Sequence, residues 1–201
     1  YGWEQVPTYW QRTEVSPARN PRVRPINLQE PVELRQVMAV YHQYSRQFNG
    51  AIIRDHCQYW QDWVRTEIMR GWIPEQMGRG WVLQEDGEIV AYLIVGRDAH
   101  RSHIYVQDFA CSGDVAGSFR QLVEHAVWSL FRDRPAEVRF PAVITSDFPV
   151  EWDREDGLMI RANNEKLWHR LSEDNVSDLF HEGNAASHGA SKLVMWGIDG
   201  F

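Results

Sequence analysis

Four acidic residues lie close together towards the C-terminal end of the chain, at Glu151, Asp153, Glu155 and Asp156. Such a run could attract a cationic amine, because opposite charges attract at short range. The alternative is a solvated acidic segment without a ligand, which is the commoner use of a charge run. The spacing leaves both interpretations open.

The histidines, cysteines and serines do not form the known patterns of metal or nucleophile sites. The eight histidines include no HExxH motif and no His/carboxylate spacing typical of a metal site. Cys57 and Cys111 are far apart and form no CxxC pair, so both are expected to be buried thiols. No GxSxG sequence surrounds a serine. The sequence therefore predicts no metal site and disfavours a hydrolase.

The composition is that of a folding, acidic chain. Of its 201 residues 43% are hydrophobic, and the formal net charge is −7. Lysine occurs only at positions 166 and 192, so the clustered cations that a nucleic-acid-binding face needs are missing. Neither a run of eighteen apolar residues nor a signal-peptide pattern is present, and a cytoplasmic protein without membrane contact is expected.

Hydrophobic periodicity predicts two helices in the first part of the chain. Apolar residues at three- and four-residue spacing predict an amphipathic helix over residues 31–48. Asp55 could cap a second helix. The apolar side of this second helix is expected at Cys57, Trp60, Val64 and Ile68.

From residue 81 onwards the period is that of strands. Residues 81–84 and 89–95 flank the turn 85–87 and predict a hairpin, and a third strand is expected over 103–110. A helix that ends near Phe131 and a strand over 137–140 follow, which makes a βαβ unit. The third strand alternates, with Ile104, Val106 and Asp108 assigned to one face.

This order of elements resembles the GNAT superfamily of acyl-CoA-dependent N-acetyltransferases. The central module of the tandem-GNAT proteins of the Eis-like type is similar in its motifs, which are matched here by Phe48-Asn49-Gly50, Arg54-Asp55, Trp60 and the Gly-turn and strand Gly87 to Tyr92. The resemblance covers about residues 23–161, and Ala91 departs from it where Gly is usual. It implies an α/β (α+β) fold, in which helices flank a mixed, mostly antiparallel central sheet.

The resemblance also suggests a division of the chain into three parts. Residues 1–22 are expected to be an N-terminal tail and linker that resembles the end of a preceding GNAT module. Residues 23–150 are the GNAT-like domain. Residues 151–201 are a C-terminal extension that resembles the start of a following domain.

In GNAT enzymes the pyrophosphate of CoA binds backbone N–H groups at a glycine-containing turn before a helix. The resemblance places this turn at residues 112–117, where Asp114 would bring a carboxylate towards the phosphates. Capping of the helix by Asp114 is the favoured alternative. The residues expected to contact acetyl-CoA are Phe109, Ala110, Cys111, Gly113, Val115, Ala116 and Gly117.

Acetylation of an amine needs a base, and often a hydroxyl that protonates the leaving thiolate. The resemblance implies Asp108 as the base, with Tyr105 or Tyr92 as the hydroxyl. The alternatives are a solvent-facing Asp108 at the end of its strand and two tyrosines at the rim of the core.

Two functions follow from the resemblance. The first is an N-acetyltransferase, or part of one, that transfers acetyl from acetyl-CoA to a primary amine of a small molecule or a lysine. The second is a non-catalytic GNAT module that supports a preceding catalytic module, shapes its substrate cleft or mediates oligomerisation between copies. The turn at residues 112–117 favours the second for this piece of sequence.

Overall fold

Helices pack on both faces of a seven-stranded sheet in a computed structural model of the chain, which describes residues 4–48, 54–65, 76–98 and 103–160. Side chains are described in these ranges except at residues 4–9, 63, 76–78, 98 and 154–160. The strands are β1 (Glu4–Val15), β2 (Val23–Pro25), β3 (Gln76–Glu85), β4 (Glu88–Asp98), β5 (His103–Cys111), β6 (Ala136–Pro141) and β7 (Glu151–Ile160). The helices are α1 (Pro31–Ser45), a π-helix (Tyr59–Val64) and α2 (Val115–Phe131).

The strand order is β2-β3-β4-β5-β6-β1-β7, and the one parallel pair is β5 with β6. That pair is joined by α2, so the predicted βαβ unit is confirmed. The mixed, mostly antiparallel sheet with flanking helices confirms the predicted fold class. No helix in the described part of the chain is long and apolar enough to cross a membrane.

The predicted hairpin is β3–β4, and its turn follows from its sequence. Asp86 and Gly87 both have positive φ, 51° and 87°. A two-residue turn with this conformation matches the right-handed twist of the flanking strands, and Asp-Gly is a preferred pair for it. The predicted amphipathic helix is α1, whose first turn is stabilised by Pro31 and by Glu30, which accepts a hydrogen bond from the backbone N–H of Val32.

The second predicted helix differs from the prediction at its start. The π-helix begins after Gln58, without a side-chain cap, and Asp55 is exposed. Trp60 and Val64 are buried as expected, but Cys57 is exposed, so the prediction of a buried thiol there is wrong. Only Cys111 is buried among the two cysteines. Residues 49–53, which belong to the quoted motifs, and Ile68 lie outside the described residues.

Residues 4–15, expected to belong to a tail, form β1 in the same sheet as residues 23–150. β1 pairs antiparallel with β6 on one side and with β7 on the other. Val15 is fully buried, and the side chain of Gln11 donates a hydrogen bond to the carbonyl of Ile144 (3.0 Å). The prolines at 17 and 21 follow this strand and prevent its continuation. Residues 151–160 form β7, while residues 161–201 lie outside the described ranges.

A register shift between β4 and β5 determines on which face of the sheet each side chain of β5 lies. Ile94 pairs with Asp108, whereas the next residue, Val95, pairs with Val106, so Gln107 is an extra residue in β5. Side chains alternate along a strand, and a bulge of one residue reverses the alternation. Asp108 therefore lies on the face opposite Ile104 and Val106, and the prediction that the three share a face is wrong.

Candidate functional site

Asp108, the predicted base, lies in the layer between the sheet and α1. Its side chain is fully buried. One carboxylate oxygen, Oδ2, accepts hydrogen bonds from Nη1 of Arg54 and from the hydroxyl of Tyr92 (3.1 Å). Arg54 is also buried, with 1% of its surface exposed. The alternative of a solvent-facing Asp108 is wrong, because its carboxylate belongs to a buried ion pair.

The guanidinium of Arg54 is surrounded by aromatic rings. Its Cζ lies 4.3 Å from the ring centroid of Tyr41, 5.5 Å from that of Trp60 and 5.9 Å from that of Tyr59. These distances are within the range of cation–π attraction. We call these three rings together with Asp108 the cation cage. The cage encloses the Arg54 side chain from α1, from the start of the π-helix and from β5.

Tyr92 is a hydrogen-bond donor in this site and not an acid ready to lose a proton. Burial raises the pKa of the Tyr92 hydroxyl well above its ordinary value, and the negative charge of Asp108 raises it further. The pKa of Tyr44 is raised for the same first reason. Both hydroxyls therefore stay protonated at neutral pH. The negative charge of Asp108 is compensated by the guanidinium of Arg54 and by a hydrogen bond from the neutral hydroxyl of Tyr92. Such an environment is typical of a carboxylate with a structural role.

Tyr105 belongs to a different group of side chains. Its hydroxyl is hydrogen-bonded to Nε2 of His103 (2.8 Å), and Cζ of Arg139 lies 5.8 Å from its ring centroid. Nε of Arg139 donates to Glu137 (2.8 Å), and this bond is the main reason why the pKa of Glu137 is lowered. No hydrogen bond joins Tyr105 to Asp108 in the described structure. The two predicted catalytic residues are on the same face of β5 but serve separate clusters.

Asp114 caps α2 and occupies the position that the resemblance assigns to phosphate. Its Oδ1 accepts a hydrogen bond from the backbone N–H of Gly117 (3.2 Å). A Cβ added at Gly117 would collide with the same carboxylate, so the side chain lies directly over the first turn of the helix. The N-terminus of α2 already has a negative group of its own, and a second anion there would be repelled. The turn therefore does not fit a pyrophosphate.

Parallel strands β5 and β6 separate beside this turn. Their pairing covers His103–Tyr105 with Glu137–Arg139, and β5 then continues to Cys111 without a β6 partner. The ring of Phe109 meets Tyr44 of α1 (centroids 5.6 Å apart) and Phe119 of α2 (5.4 Å). α1 and α2 lie on opposite faces of the sheet, so this contact passes through the level of the sheet where the strands separate.

Buried rings continue this contact in both directions. Phe48 extends it on the α1 side, with its centroid 5.0 Å from that of Tyr44, and Phe140 of β6 lies 4.8 Å from Phe119. We call the five rings the aromatic row. Each of them is at most 8% exposed. The row thus forms a continuous chain of buried ring contacts between α1 and α2 at the level of Phe109.

The remaining residues predicted to contact acetyl-CoA are divided between core and turn. Phe109 and Ala110 are fully buried, and Cys111 is 3% exposed. Burial raises the pKa of the Cys111 thiol. Gly113 is exposed, and Val115, Ala116 and Gly117 are partly exposed at the start of α2. These residues are thus neighbours along the chain, in β5, in the turn and at the start of α2. Their described side chains and N–H groups do not form a phosphate-binding arrangement.

Sequence reasoning missed Arg54 as the partner of Asp108 and His103 as the partner of Tyr105. A carboxylate between apolar residues of a strand signals that some cation must lie nearby. It does not tell which arginine, because the two residues are 54 positions apart.

The acidic residues Glu151 and Asp153 have a simpler role, since both lie within ion-pair distance of Arg12. Within the described ranges, no three His, Cys, Asp or Glu side chains form a group that could hold a metal ion.

No protein-family model matches the sequence, and no curated protein matches it significantly. Among solved structures, the chain is similar to a GCN5-related N-acetyltransferase from Anabaena variabilis, with 16% identity and a TM-score of 0.45 over 76% of this chain and 40% of that one. It is also similar to a conserved protein of unknown function from Enterococcus faecalis, named a probable N-acyltransferase, with 12% identity and a TM-score of 0.49 over 79% of this chain and 40% of that one. This chain thus spans about 40% of the length of either protein. At these values neither structure assigns an activity or a substrate to this chain.

Proposed function

We propose that this chain is a GNAT-superfamily domain of an acyl-CoA-dependent N-acetyltransferase and that it serves there as a structural, non-catalytic module. The order of elements supports the superfamily: a short strand, two helical segments, three antiparallel strands, a helix and a parallel strand. The finer resemblance to the second module of Eis-like proteins rests on Arg54, Trp60 and the Gly87 turn. In this proposal a preceding GNAT module carries the chemistry on a small-molecule or lysine amine, in the cytoplasm.

The Asp114 cap is the observation that carries the non-catalytic role. A carboxylate already accepts a hydrogen bond from the Gly117 N–H, at the place where the resemblance puts the pyrophosphate. Binding of acetyl-CoA would require this carboxylate to leave, at the cost of the cap, about 0.5–2 kcal/mol, and of repulsion from a group with several negative charges. The aromatic row and the buried Arg54–Asp108 pair support the same conclusion.

The proposal is tested by a thermal-shift titration of the purified chain with acetyl-CoA. A ligand at a hundredfold excess over its Kd stabilises a folded protein by about 2.7 kcal/mol, which is a rise of about 5–11 °C in Tm for a chain of this size. We expect no saturable rise up to millimolar acetyl-CoA in a sample that melts cooperatively.

Two comparisons sharpen this titration. ATP at equal concentration controls for general effects of a polyanion. The variant Asp114→Ser keeps a capping oxygen but removes the charge. We expect it to bind no better, because the buried ring contacts beside Phe109 are unchanged. A saturable rise with acetyl-CoA and not with ATP in the unmodified chain would overturn the proposal and restore the enzyme, with a screen of amine substrates as the next step.

A further inference from the structure

The cation cage has the chemistry of a ligand site, although a residue of the same chain occupies it. Aromatic faces around a cation, with a carboxylate in direct contact, are the means by which proteins recognise guanidinium and ammonium ligands. Here the guanidinium of Arg54 is fully enclosed and lies 4.3 Å above the Tyr41 ring. Its Nη1 donates to a carboxylate that is itself fully buried.

Three walls of the cage, Tyr41, Trp60 and Asp108, have contacts other than those with the side chain of Arg54. Tyr41 belongs to α1 and contacts Trp60 edge to face, with centroids 5.5 Å apart. Trp60 in turn meets the ring of Tyr92 on β4 at 5.9 Å. Asp108 is fixed in the middle of the sheet by its pairing with Ile94. Removal of the guanidinium would leave these groups in contact with one another.

The backbone of Arg54 is held by hydrogen bonds of its own, one of which comes from a ring of the cage. Nε1 of Trp60 donates a hydrogen bond to its carbonyl (3.0 Å), and His42 lies within ion-pair distance of the neighbouring Asp55 (3.0 Å). The backbone of residue 54 is therefore anchored independently of the side chain that enters the cage. A truncated side chain at this position leaves the anchor intact and empties the interior.

We propose that the cation cage is a binding site for an alkylguanidinium ion, and that in this chain the side chain of Arg54 is its built-in occupant. Arg54 thereby keeps cations in solution away from Asp108. This inference rests on the cage alone: whether acetyl-CoA binds at the start of α2 has no bearing on it.

The test uses the full 201-residue chain with Arg54→Ala and ethylguanidinium, which supplies the atoms that the substitution removes beyond Cβ. At ten times its Kd, ethylguanidinium should raise the ratio of folded to unfolded protein about elevenfold, as a saturable rise in Tm. The unmodified chain should show no such rise at the same concentrations. The double variant Arg54→Ala with Asp108→Asn should also show none, because it lacks the carboxylate that receives the ion.

Ethylurea and sodium chloride at matched concentration are the controls for shape without charge and for ionic strength. A rise that either control reproduces, or that the unmodified chain shares, would overturn the proposal. If Arg54→Ala does not fold alone, we expect ethylguanidinium to restore a cooperative transition. Failure to restore it, while Arg54→Lys melts cooperatively and so shows that the position tolerates change, would equally overturn the proposal.

Discussion

Replacement of Asp108 by asparagine should strongly destabilise the fold, because the substitution removes the carboxylate that is in direct contact with the buried charge of Arg54. Both side chains are completely inaccessible to solvent. Water cannot take over the role of the lost carboxylate without entry into the space between α1 and the sheet. The Asp108→Asn variant therefore distinguishes a structural role of Asp108 from a role as catalytic base, because removal of a catalytic base typically leaves stability unchanged or improves it.

The magnitude follows from the burial of the pair. Removal of one partner from a buried ion pair costs about 3–5 kcal/mol. For a chain of about 200 residues, each kcal/mol corresponds to about 2–4 °C in Tm, so the expected fall is about 6–20 °C. Tyr92→Phe removes only the hydrogen bond to Asp108 Oδ2, and the loss should be smaller, about 1.5–3 kcal/mol for a bond to a charged acceptor.

The assay is thermal and urea unfolding followed by circular dichroism, with two comparison variants. Glu151→Gln breaks an ion pair with Arg12 in which 74% of the Glu151 side chain is exposed, and it should leave Tm unchanged. Arg54→Met combined with Asp108→Leu removes both charges and should recover most of the stability that Asp108→Asn loses. The reasoning fails if Asp108→Asn melts at the same temperature as the unmodified chain.

Three further outcomes are expected. Asp114→Ala removes the cap of α2 and should lower the free energy of unfolding by about 1 kcal/mol, measured by urea unfolding, whereas Asp114→Ser should lose less; equal losses would contradict the capping role. Burial lowers the pKa of His125, whose Nδ1 accepts a hydrogen bond from the backbone N–H of Asn20. The unfolded state therefore binds the proton more tightly, and the free energy of unfolding should fall as the pH falls below about 6.5. His125→Asn should remove this component of the pH dependence. Iodoacetamide should modify the exposed Cys57 in the folded chain and the buried Cys111 only after unfolding, and mass spectrometry of digested samples would reveal the reverse order.

Local signals in the sequence were sufficient for α1 and for the hairpin. The apolar positions of α1 recur at helical spacing, and its buried residues include Leu34, Val37 and Tyr41 as that spacing requires. Asp86-Gly87 specifies a turn on its own, because both residues tolerate positive φ. In each case the information lies within a few residues of the structure that it determines.

Features that depend on distant pairing could not be predicted in the same way. The extra residue at Gln107 reverses the alternation of β5, and only the register against β4 reveals it. The place of β1 between β6 and β7 likewise depends on strands more than 120 residues away in the sequence. The partner of Asp108 depends on how the chain returns from α1 to the sheet. The strand pattern points to Asp108 itself, whereas the ion pair that explains its burial joins residues 54 positions apart.

The charged side chains of Asp114 and Arg54 act in the same manner. The Asp114 carboxylate accepts the Gly117 N–H at the start of α2, where a phosphate of a bound nucleotide would accept it. The Arg54 guanidinium donates to Asp108, where a cationic substrate would donate. In both places the chain supplies a group with the charge that the ligand would carry. The stability of the fold should therefore depend on these internal groups, which the Asp108 and Asp114 variants test directly.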